Sequence, residues 1–345
     1  MKYFTEPKPN HEKPEANVGV LLVNLGTPSA TDYFSMRRYL KQFLSDPRVV
    51  EVNRAVWWFV LNIILLSFIP FRSAKNYKKI WNRAINESPL LTTTRAQTEK
   101  LQAAFKGQKV VVDFAMRYGE PSIEEKIKEL KAKKCKKILI FPLYPQYSAV
   151  TTASVCDNAF DALKKVRWMP AIKVASPYYK HPKYINALKN SVEKHLKSVN
   201  RSLKDTKLIC SYHGIPKRYF ENGDPYPCHC TKTTMDLQKA LKLNNDQIDL
   251  VYQSRFGKEE WMQPYFDKHI EELPSKGTKN IIVISPAFAA DCVETLEELQ
   301  IAGAEDFSEH GGEHYSVVPC LNDNDDSIDM LKTLIEEELT GFTVD

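Results

Sequence analysis

Short apolar segments that end in glycine, proline or a polar turn recur along the chain and predict buried β-strands. The first, residues 18–25, is interrupted only by Gly19 and Asn24 and ends in the turn Gly26-Thr27-Pro28. Continuous apolar runs of this length are typical of strands that are buried on both faces of a parallel sheet. Further strands are predicted at 110–116, 137–143, 208–211, 248–253, 279–285 and 315–320.

Segments with a helical spacing of apolar residues separate these strands. Helices are predicted at 33–44, 94–105, 121–131, 152–166 and 327–339. Because helices alternate with strands, the pattern predicts an α/β fold. In such folds ligands bind beyond the carboxyl ends of the parallel strands.

The two halves of the chain repeat the same plan. MRYG at 116–119 matches SRFG at 254–257, and in each half a basic and then apolar strand follows and ends in Pro142 or Pro286. We therefore expect two similar Rossmann-like domains, each a parallel sheet flanked by helices, with the active-site cleft between them. The expected boundaries are a flexible N-terminal tail over 1–17, a first domain over 18–172 and a second domain over 173–345.

The most apolar segment of the chain is VWWFVLNIILLSFIPF at 56–71, called the apolar lip below. Its 16 residues fall short of the roughly 20 that a membrane-spanning helix needs. A buried core helix fits this composition, and so does an exposed surface that contacts a bilayer or a flat apolar ligand. Trp57 and Trp58 at one end, with Arg54 and Arg72 on the flanks, favour the exposed position.

Composition and charge indicate an ordinary globular protein and argue against a nucleic-acid partner. The 345 residues are 43% hydrophobic and 26% charged, as in ordinary globular proteins. The formal net charge of +5 is too small to indicate a nucleic-acid partner. Because the seven cysteines are scattered and no secretory signal is visible, we expect reduced thiols and a cytoplasmic location, with peripheral contact at the inner face of the cell membrane.

His213 is the first candidate for chemistry. It lies where the strand at 208–211 runs into a turn that contains Gly214 and Pro216. A histidine at the end of a parallel strand is well placed to meet a ligand, and its imidazole can bind a divalent cation or take up a proton. The alternative is that His213 has only a structural role and hydrogen-bonds within the turn.

A row of carboxylates is the second candidate. Residues 291–299 predict a helix, and at about 100° per residue Asp291, Glu294 and Glu298 fall within an arc of about 60°. Glu297 points away from this row. The row predicts an acidic relay that accepts protons beside His213, and a solvated acidic face is the alternative.

Cys228-His229-Cys230 is a tight cluster of potential metal ligands. It lacks the second Cys/His pair of a structural zinc site, so a zinc site is not favoured there.

Six motifs together resemble those of the ferrochelatases, the enzymes that insert ferrous iron into protoporphyrin IX in the last step of haem biosynthesis. The motifs run in the same order as in that family and cover nearly the whole chain. They are VNLGTP at 23–28, YPQYS at 144–148, SYHGIP at 211–216, GDPYP at 223–227, QSRFG at 253–257 with Trp261, and SPAFAADCVETLEEL at 285–299.

The resemblance implies a lyase that takes Fe²⁺ as a substrate. It implies that His213 and Glu294 form the metal-binding and proton-handling pair. It also implies that the walls of the porphyrin pocket include Arg117, which would pair with a propionate. The other wall residues that it implies are Leu25, Tyr118, Trp261 and Phe288.

At two places the sequence departs from patterns seen in parts of the family, and these places bear on the iron–sulfur cluster and on the porphyrin substrate. Ala149 follows Ser148 where cluster-bearing members have a cysteine, and the tail lacks cysteines, so the C-terminal type of [2Fe-2S] cluster is not expected. Cys228 and Cys230 leave an internal cluster open. Leu25 stands where relatives that use coproporphyrin have tyrosine, which favours protoporphyrin. A chelatase for coproporphyrin III or another tetrapyrrole, and a non-catalytic haem carrier, remain the alternatives.

Overall fold

A computed structural model of the chain describes residues 3–5 and 17–342. Most of the predicted tail over 1–17 lies outside the described residues. The strands are β1 (Asn17–Gly26), β2 (Val110–Tyr118), β3 (Cys135–Pro142), β4 (Ala171–Val174), β5 (Lys207–His213), β6 (Ile248–Gln253), β7 (Asn280–Ile284) and β8 (His314–Val317).

Helices connect the strands. The first half has α1 (Tyr33–Ser45), α2 (Arg54–Phe59), a π-helical segment Val60–Leu65, α3 (Leu66–Ile80), α4 (Pro89–Ala104), α5 (Ile123–Ala132), a π-helical segment Ala149–Ala153 and α6 (Ser154–Leu163). The second half has α7 (Pro182–Ser198), α8 (Lys217–Glu221), α9 (Tyr226–Leu241), α10 (Phe266–Glu272), a 3₁₀ turn Pro274–Lys276, a π-helix Glu294–Ala302, α11 (Gly303–Glu309) and α12 (Asp325–Leu339). Glu294–Ala302 is called the acidic π-helix below.

Both sheets have four parallel strands in the same order, β2-β1-β3-β4 in one and β6-β5-β7-β8 in the other. The prediction of an α/β fold with two similar parallel sheets flanked by helices is confirmed. In this order the motifs at 116–119 and 254–257 lie at equivalent carboxyl ends, of β2 and of β6. The shared topology accounts for the internal repeat.

The central strands β1 and β5 are buried on both faces. In β1 the side chains from Val20 to Val23 are inaccessible to solvent, and in β5 the same holds from Leu208 to Cys210. Every second residue of a strand points to the opposite face. Burial on both faces therefore explains why these runs are continuously apolar instead of alternating.

The chain forms two compact units. The first contains the residues up to Leu143, Ala149–Ser176 and the residues from Leu331, and the second contains Tyr144–Ser148 and Pro177–Met330. The short segment Tyr144–Ser148 hydrogen-bonds within the second unit, where Ser148 Oγ donates to Asp224 Oδ2 at 2.7 Å. This bond joins the YPQYS motif to the GDPYP motif.

Several elements differ from the sequence-based prediction, among them helices α7 to α10, which were not predicted. Strand β4 was not predicted, because its four residues lie at the edge of the sheet, are partly or fully exposed and form no continuous apolar run. Helix α4 begins at Pro89, before the predicted start at 94. Its start is set by Ser88, whose side chain accepts a hydrogen bond from Leu91 N at 3.2 Å, and by proline in the first turn.

The apolar lip belongs to a helical segment that is longer than predicted. Helical structure is continuous over the 27 residues Arg54–Ile80 and passes through Pro70. By length and composition it is the one helix within the described ranges that is long and apolar enough to cross a membrane. The expectation that this segment is too short for a span is therefore wrong on length.

Only three of the sixteen residues of the lip, Leu61, Leu66 and Pro70, are buried, so the interpretation as a buried core helix is wrong for most of its length. Trp58 is 61% exposed and Phe68 is 72% exposed, whereas Leu61 is 1% exposed and anchors the helix. The other large apolar side chains that are exposed along the lip are Val56, Phe59, Ile63, Ile64 and Phe71.

A buried carboxylate holds the carboxyl end of β2 in the first unit. Asp46 Oδ2 accepts hydrogen bonds from Arg117 Nη2, from Tyr118 OH at 2.8 Å and from Ser154 Oγ at 2.6 Å. Asp46 Oδ1 accepts from Arg48 N at 2.8 Å. Burial alone would raise the pKa of Asp46, but these hydrogen bonds and the charge of Arg117 together hold the pKa below its ordinary value.

Replacing Asp46 with Asn should lower the free energy of unfolding by about 3 kcal/mol, because Arg117 would keep a buried charge without its partner. A pH dependence follows as well. Since folding lowers the pKa of Asp46, the unfolded chain binds the proton first as the pH falls. The stabilisation is therefore complete above the unfolded pKa and is lost as the pH falls below about 4. Urea unfolding followed by circular dichroism between neutral and acidic pH measures both effects.

Asp161→Asn is the matched control for this measurement. Asp161 also pairs with a cation, Lys164 at 2.7 Å, but its side chain is 69% exposed. Its replacement should change the urea midpoint little, because exposed ion pairs contribute little to stability. Equal losses in the two variants would contradict the role given to Asp46.

Candidate functional site

His213 is the last residue of β5, the strand that lies between β6 and β7. Its Nδ1 lies 2.7 Å from the carbonyl oxygen of Gly214. A carbonyl oxygen only accepts hydrogen bonds, so Nδ1 carries a proton, and in the neutral ring Nε2 then has the lone pair. The ring is half-buried, and Trp261 lies 6.5 Å away between ring centroids. The backbone thus sets the tautomer that leaves Nε2 as an acceptor or metal ligand.

Gly214 lies in a tight space, in which a side chain would be crowded. A Cβ atom placed there would lie 3.0 Å from Gln253 O and 3.1 Å from Trp261 Cε3. The backbone of Gly214 also donates to Gln253 O at 2.8 Å. His213 is therefore held close to the end of β6 and to Trp261.

The carboxylate row is arranged differently from the α-helical prediction. The acidic π-helix begins at Glu294, so Asp291 lies before it and the α-helical spacing does not apply to Asp291. The prediction of one regular helix from Asp291 is therefore wrong. In a π-helix the backbone N–H bonds five residues back, and such turns occur frequently at functional sites.

Glu298 is the most strongly held member of the row. Its Oε1 accepts from Ser254 N at 2.8 Å, and its Oε2 accepts from Ser254 Oγ and from Gln253 Nε2 at 3.4 Å. Burial raises the pKa of Glu298 above its ordinary value, and the neighbouring charge of Glu294 acts in the same direction. The hydrogen bond from Ser254 and the charge of His213 oppose this rise. The structure therefore brings His213, Glu294 and Glu298 within electrostatic reach of one another.

Glu294 lies at the first position of the acidic π-helix and is partly exposed. Its backbone carbonyl accepts from Gln253 Nε2 at 3.0 Å, which ties this end of the helix to the end of β6. Burial and the nearby charge of Glu294 raise the pKa of Cys292. Glu297, on the same helix, is 9% exposed and thus more buried than Glu294.

Asp291 is occupied by a separate set of hydrogen bonds. Its carboxylate accepts from Thr295 Oγ1 at 2.9 Å, from Cys320 N at 3.3 Å and from Asn322 Nδ2 at 2.6 Å. Its own N–H donates to Asn322 Oδ1 at 2.8 Å. Asp291 therefore clasps the start of the acidic π-helix to the segment at 320–322.

The predicted wall residues lie at strand ends in both units. In the first unit Leu25 is partly exposed near the end of β1, while Arg117 is bound to Asp46 and Tyr118 is buried. In the second unit Trp261 lies beside His213, and Phe288 follows β7 and is partly exposed. The Arg117 guanidinium, expected to pair with a propionate, therefore already has a carboxylate partner within the protein.

The described residues contain no group of three His, Cys, Asp or Glu side chains that is arranged to hold a metal ion. His229 Nδ1 accepts from Tyr147 N at 3.2 Å, and its ring stacks on Tyr179 at 3.8 Å between centroids. Burial lowers the pKa of His229, which favours the neutral ring that accepts this bond. Of the flanking cysteines, Cys228 is exposed and Cys230 is buried.

Two polar residues of this site were given no role from the sequence. Gln253 and Ser254 belong to the QSRFG motif at the end of β6, and the motif marked their position. Their function becomes visible only with the contact to Glu298, which is 44 residues from Ser254 in the chain.

Comparison with known proteins was made against family models, curated sequences and solved structures. The ferrochelatase family model matches residues 17–339. Ferrochelatases of Brucella ovis and Brucella abortus (strain S19) are each 52% identical to this chain over 326 residues, which is 94% of this chain and 92% of the relative. The solved structure titled SirB from Bacillus subtilis with Fe³⁺ aligns over 95% of this chain and 100% of its own, with a TM-score of 0.59 and 10% identity. At that identity the likeness concerns the fold alone.

The matches confirm the resemblance found in the sequence motifs. They identify a family of metal-inserting enzymes, so the haem-carrier alternative is not supported. On a family model that spans nearly all of its length and on relatives at 52% identity, the chain belongs to the ferrochelatase family.

Proposed function

We propose that His213 and Glu294 are the groups that receive ferrous iron and the pyrrole protons when this ferrochelatase converts protoporphyrin IX to protohaem. The observation that carries the proposal is the hydrogen bond from His213 Nδ1–H to Gly214 O at 2.7 Å. It leaves the lone pair of Nε2 for a metal ion or a proton. Glu294 supplies a carboxylate nearby, since both groups interact with the charge of Glu298.

The chemistry requires acceptors on one face of the macrocycle. Free porphyrin carries two pyrrole N–H protons, and both leave as Fe²⁺ enters, so that one iron replaces two protons. A flat macrocycle directs its nitrogen lone pairs into its own plane, and an enzyme gains by binding it in a bent form. An imidazole and a carboxylate at one edge of a sheet meet the need for proton acceptors.

Glu298 extends this pair into a relay. Its raised pKa brings it closer to neutral pH, where a carboxylate accepts and releases protons more readily. Asp291 contributes through structure, because its hydrogen bonds to 320–322 hold the start of the acidic π-helix. The scheme includes no resident metal or iron–sulfur cofactor, and iron takes part as the substrate.

Apolar residues in each unit favour protoporphyrin over more acidic porphyrins as the substrate. Leu25 is an apolar residue at the end of β1, and the apolar lip offers a large surface without acidic side chains. Trp261 and Phe288 supply further apolar surface near His213 and near the end of β7. Apolar side chains of this kind suit a porphyrin ring, which is apolar except for its propionates.

The lip serves as a peripheral contact with the membrane. Its polar side chains are turned onto the helix backbone, since Asn62 Nδ2 donates to Trp58 O at 2.8 Å and Ser67 Oγ donates to Ile63 O at 2.9 Å. An apolar face therefore meets the lipid without unsatisfied polar groups. The flanking basic residues Arg54, Arg72, Lys75 and Lys79 are exposed and suit anionic headgroups. These features support the proposal of a cytoplasmic protein that is bound peripherally to the inner face of the cell membrane.

His213→Ala should lower kcat by at least about 100-fold, the usual contribution of a positioned acid–base group. Loss of protoporphyrin fluorescence on addition of ferrous iron measures the rate. Porphyrin binding without iron and the thermal midpoint should stay close to wild type. Near-normal turnover in this variant would refute the assignment.

Glu294→Gln should remove most of the activity, because the amide keeps the shape of the side chain but accepts no proton. The matched control is Glu297→Gln, the same change on the same helix. Glu297 is buried, so its replacement should lower the thermal midpoint more than it lowers kcat. If Glu297→Gln reduced kcat more than Glu294→Gln, the placement of the reactive carboxylate would be wrong.

Replacing Trp58, Phe68 and Phe71 together by serine should lower the fraction bound to liposomes by at least tenfold. Each side chain gives up about 1.5–3 kcal/mol of apolar burial if it inserts into lipid. The KM for protoporphyrin supplied in vesicles should rise, while the insertion rate for bound porphyrin should change little. Co-sedimentation with vesicles and steady-state kinetics measure the two effects.

A second triple variant supplies the control, with serine at Phe160, Trp168 and Met169. These side chains are also exposed in the first unit, and Trp168 matches Trp58 closely at 62% exposed. Vesicle binding should survive in this variant. Carbonate or high salt should extract the wild-type protein from membranes, and a requirement for detergent would instead indicate that Arg54–Ile80 spans the bilayer.

A further inference from the structure

We propose that Ser254 is a positioning residue for iron insertion, which orients the carboxylate of Glu298 for proton uptake. The inference rests on the relay role proposed above for Glu298. Ser254 is the first residue after β6 and is partly buried. It provides two of the three hydrogen bonds that Glu298 receives from the end of this strand.

The two donors of Ser254 grip opposite oxygens of the same carboxylate. Ser254 N donates to Glu298 Oε1 at 2.8 Å, and Ser254 Oγ donates to Glu298 Oε2. Gln253 Nε2 adds a longer bond to Oε2 at 3.4 Å. Because one residue holds both oxygens, the plane of the carboxylate cannot rotate without losing a hydrogen bond.

This arrangement leaves a defined place for the proton. An ionised carboxylate offers about four lone-pair positions, two on each oxygen. The donors seen among the described residues fill both positions on Oε2 and one on Oε1. A proton therefore enters at Oε1 without breaking any of the three bonds, and it leaves from the same position.

The backbone at Ser254 is unusual in a way that serves this contact. Its φ is +66°, in the left-handed region that residues other than glycine rarely adopt. This conformation aims the N–H and the side-chain hydroxyl at the same carboxylate. Local strain of this kind persists where the surroundings hold it, and it clusters at functional sites.

Hydrogen bonds that do not involve the Ser254 hydroxyl also hold the acidic π-helix in place. Gln253 Nε2 donates to Glu294 O at 3.0 Å, and Gln253 Oε1 accepts from Ser211 Oγ at 2.7 Å. Asp291 fixes the start of the helix from the other side, through Asn322 and Cys320. The hydroxyl of Ser254 thus acts on the carboxylate of Glu298 and is not needed to place the helix.

The test compares Ser254→Ala, Ser254→Gly and Glu298→Gln with the double variant that carries Ser254→Ala and Glu298→Gln. Both replacements of Ser254 remove the hydroxyl, and glycine also relieves the left-handed backbone. Each should lower kcat about 10- to 100-fold, as for loss of a hydrogen bond to a charged group, with the KM for protoporphyrin unchanged within about twofold. In the Glu298→Gln background, Ser254→Ala should cause no further loss, because the amide accepts no proton.

Asn200→Ala is the matched control for the backbone. Asn200 has φ +50° on the surface of the second unit, and its replacement should leave kcat unchanged. Wild-type kcat in Ser254→Gly would overturn the inference, because only the backbone would then matter. A full multiplicative loss in the double variant would also overturn it.

These experiments distinguish a failure of the Ser254 proposal from a failure of the His213–Glu294 proposal. If Glu298→Gln keeps wild-type kcat while His213→Ala loses activity, the inference about Ser254 fails and the His213–Glu294 pair stands. If His213→Ala keeps its activity while the Ser254 and Glu298 variants lose theirs without additivity, the pair fails and the Ser254–Glu298 contact stands.

Discussion

A single hydrogen bond, from Nδ1–H of His213 to the carbonyl oxygen of Gly214, determines which nitrogen of the imidazole is available for chemistry. The acceptor is a backbone carbonyl, so no change in the conformation of another side chain releases the bond. The geometry in turn depends on a residue without a Cβ, because Gln253 O and Trp261 approach Gly214 closely. The tautomer of His213 is thus a property of the fold, set where β5 passes β6.

Hydrogen bonds set by the fold also position the acidic residues Asp291 and Glu298. Donors at the end of β6 orient Glu298, and a clasp made by Asp291 and Asn322 fixes where the acidic π-helix starts. Reactive groups and holding groups are therefore different residues, although both kinds carry carboxylates. This division explains why three acids close in sequence do not share one role. Asp291 and Glu298 each receive three hydrogen bonds, but two of the donors to Asp291 belong to the segment at 320–322, whereas all three donors to Glu298 belong to the end of β6.

The position of the site was predictable from the sequence, but the hydrogen bonds that hold its side chains were not. Apolar runs located β5 and therefore His213, because burial on both faces leaves a clear signal. The clasp of Asp291 was not visible, since its partner Asn322 is 31 residues away in the chain. Arg117 likewise finds Asp46 across 71 residues. The acidic π-helix has no composition that separates it from an α-helix. The helix of the apolar lip continues past Pro70, although a proline inside a helix usually kinks or ends it.

The proposed contact of the apolar lip with a membrane would change which substrate concentration sets the reaction rate. An enzyme held at an interface meets its porphyrin in two dimensions, so the relevant concentration is the mole fraction of porphyrin in the lipid. Adding lipid at constant porphyrin would then slow the reaction by surface dilution, even though every bulk concentration stays the same. Under this proposal, seven large apolar side chains along one helix decide whether substrate affinity is expressed per volume of solution or per mole fraction in the lipid.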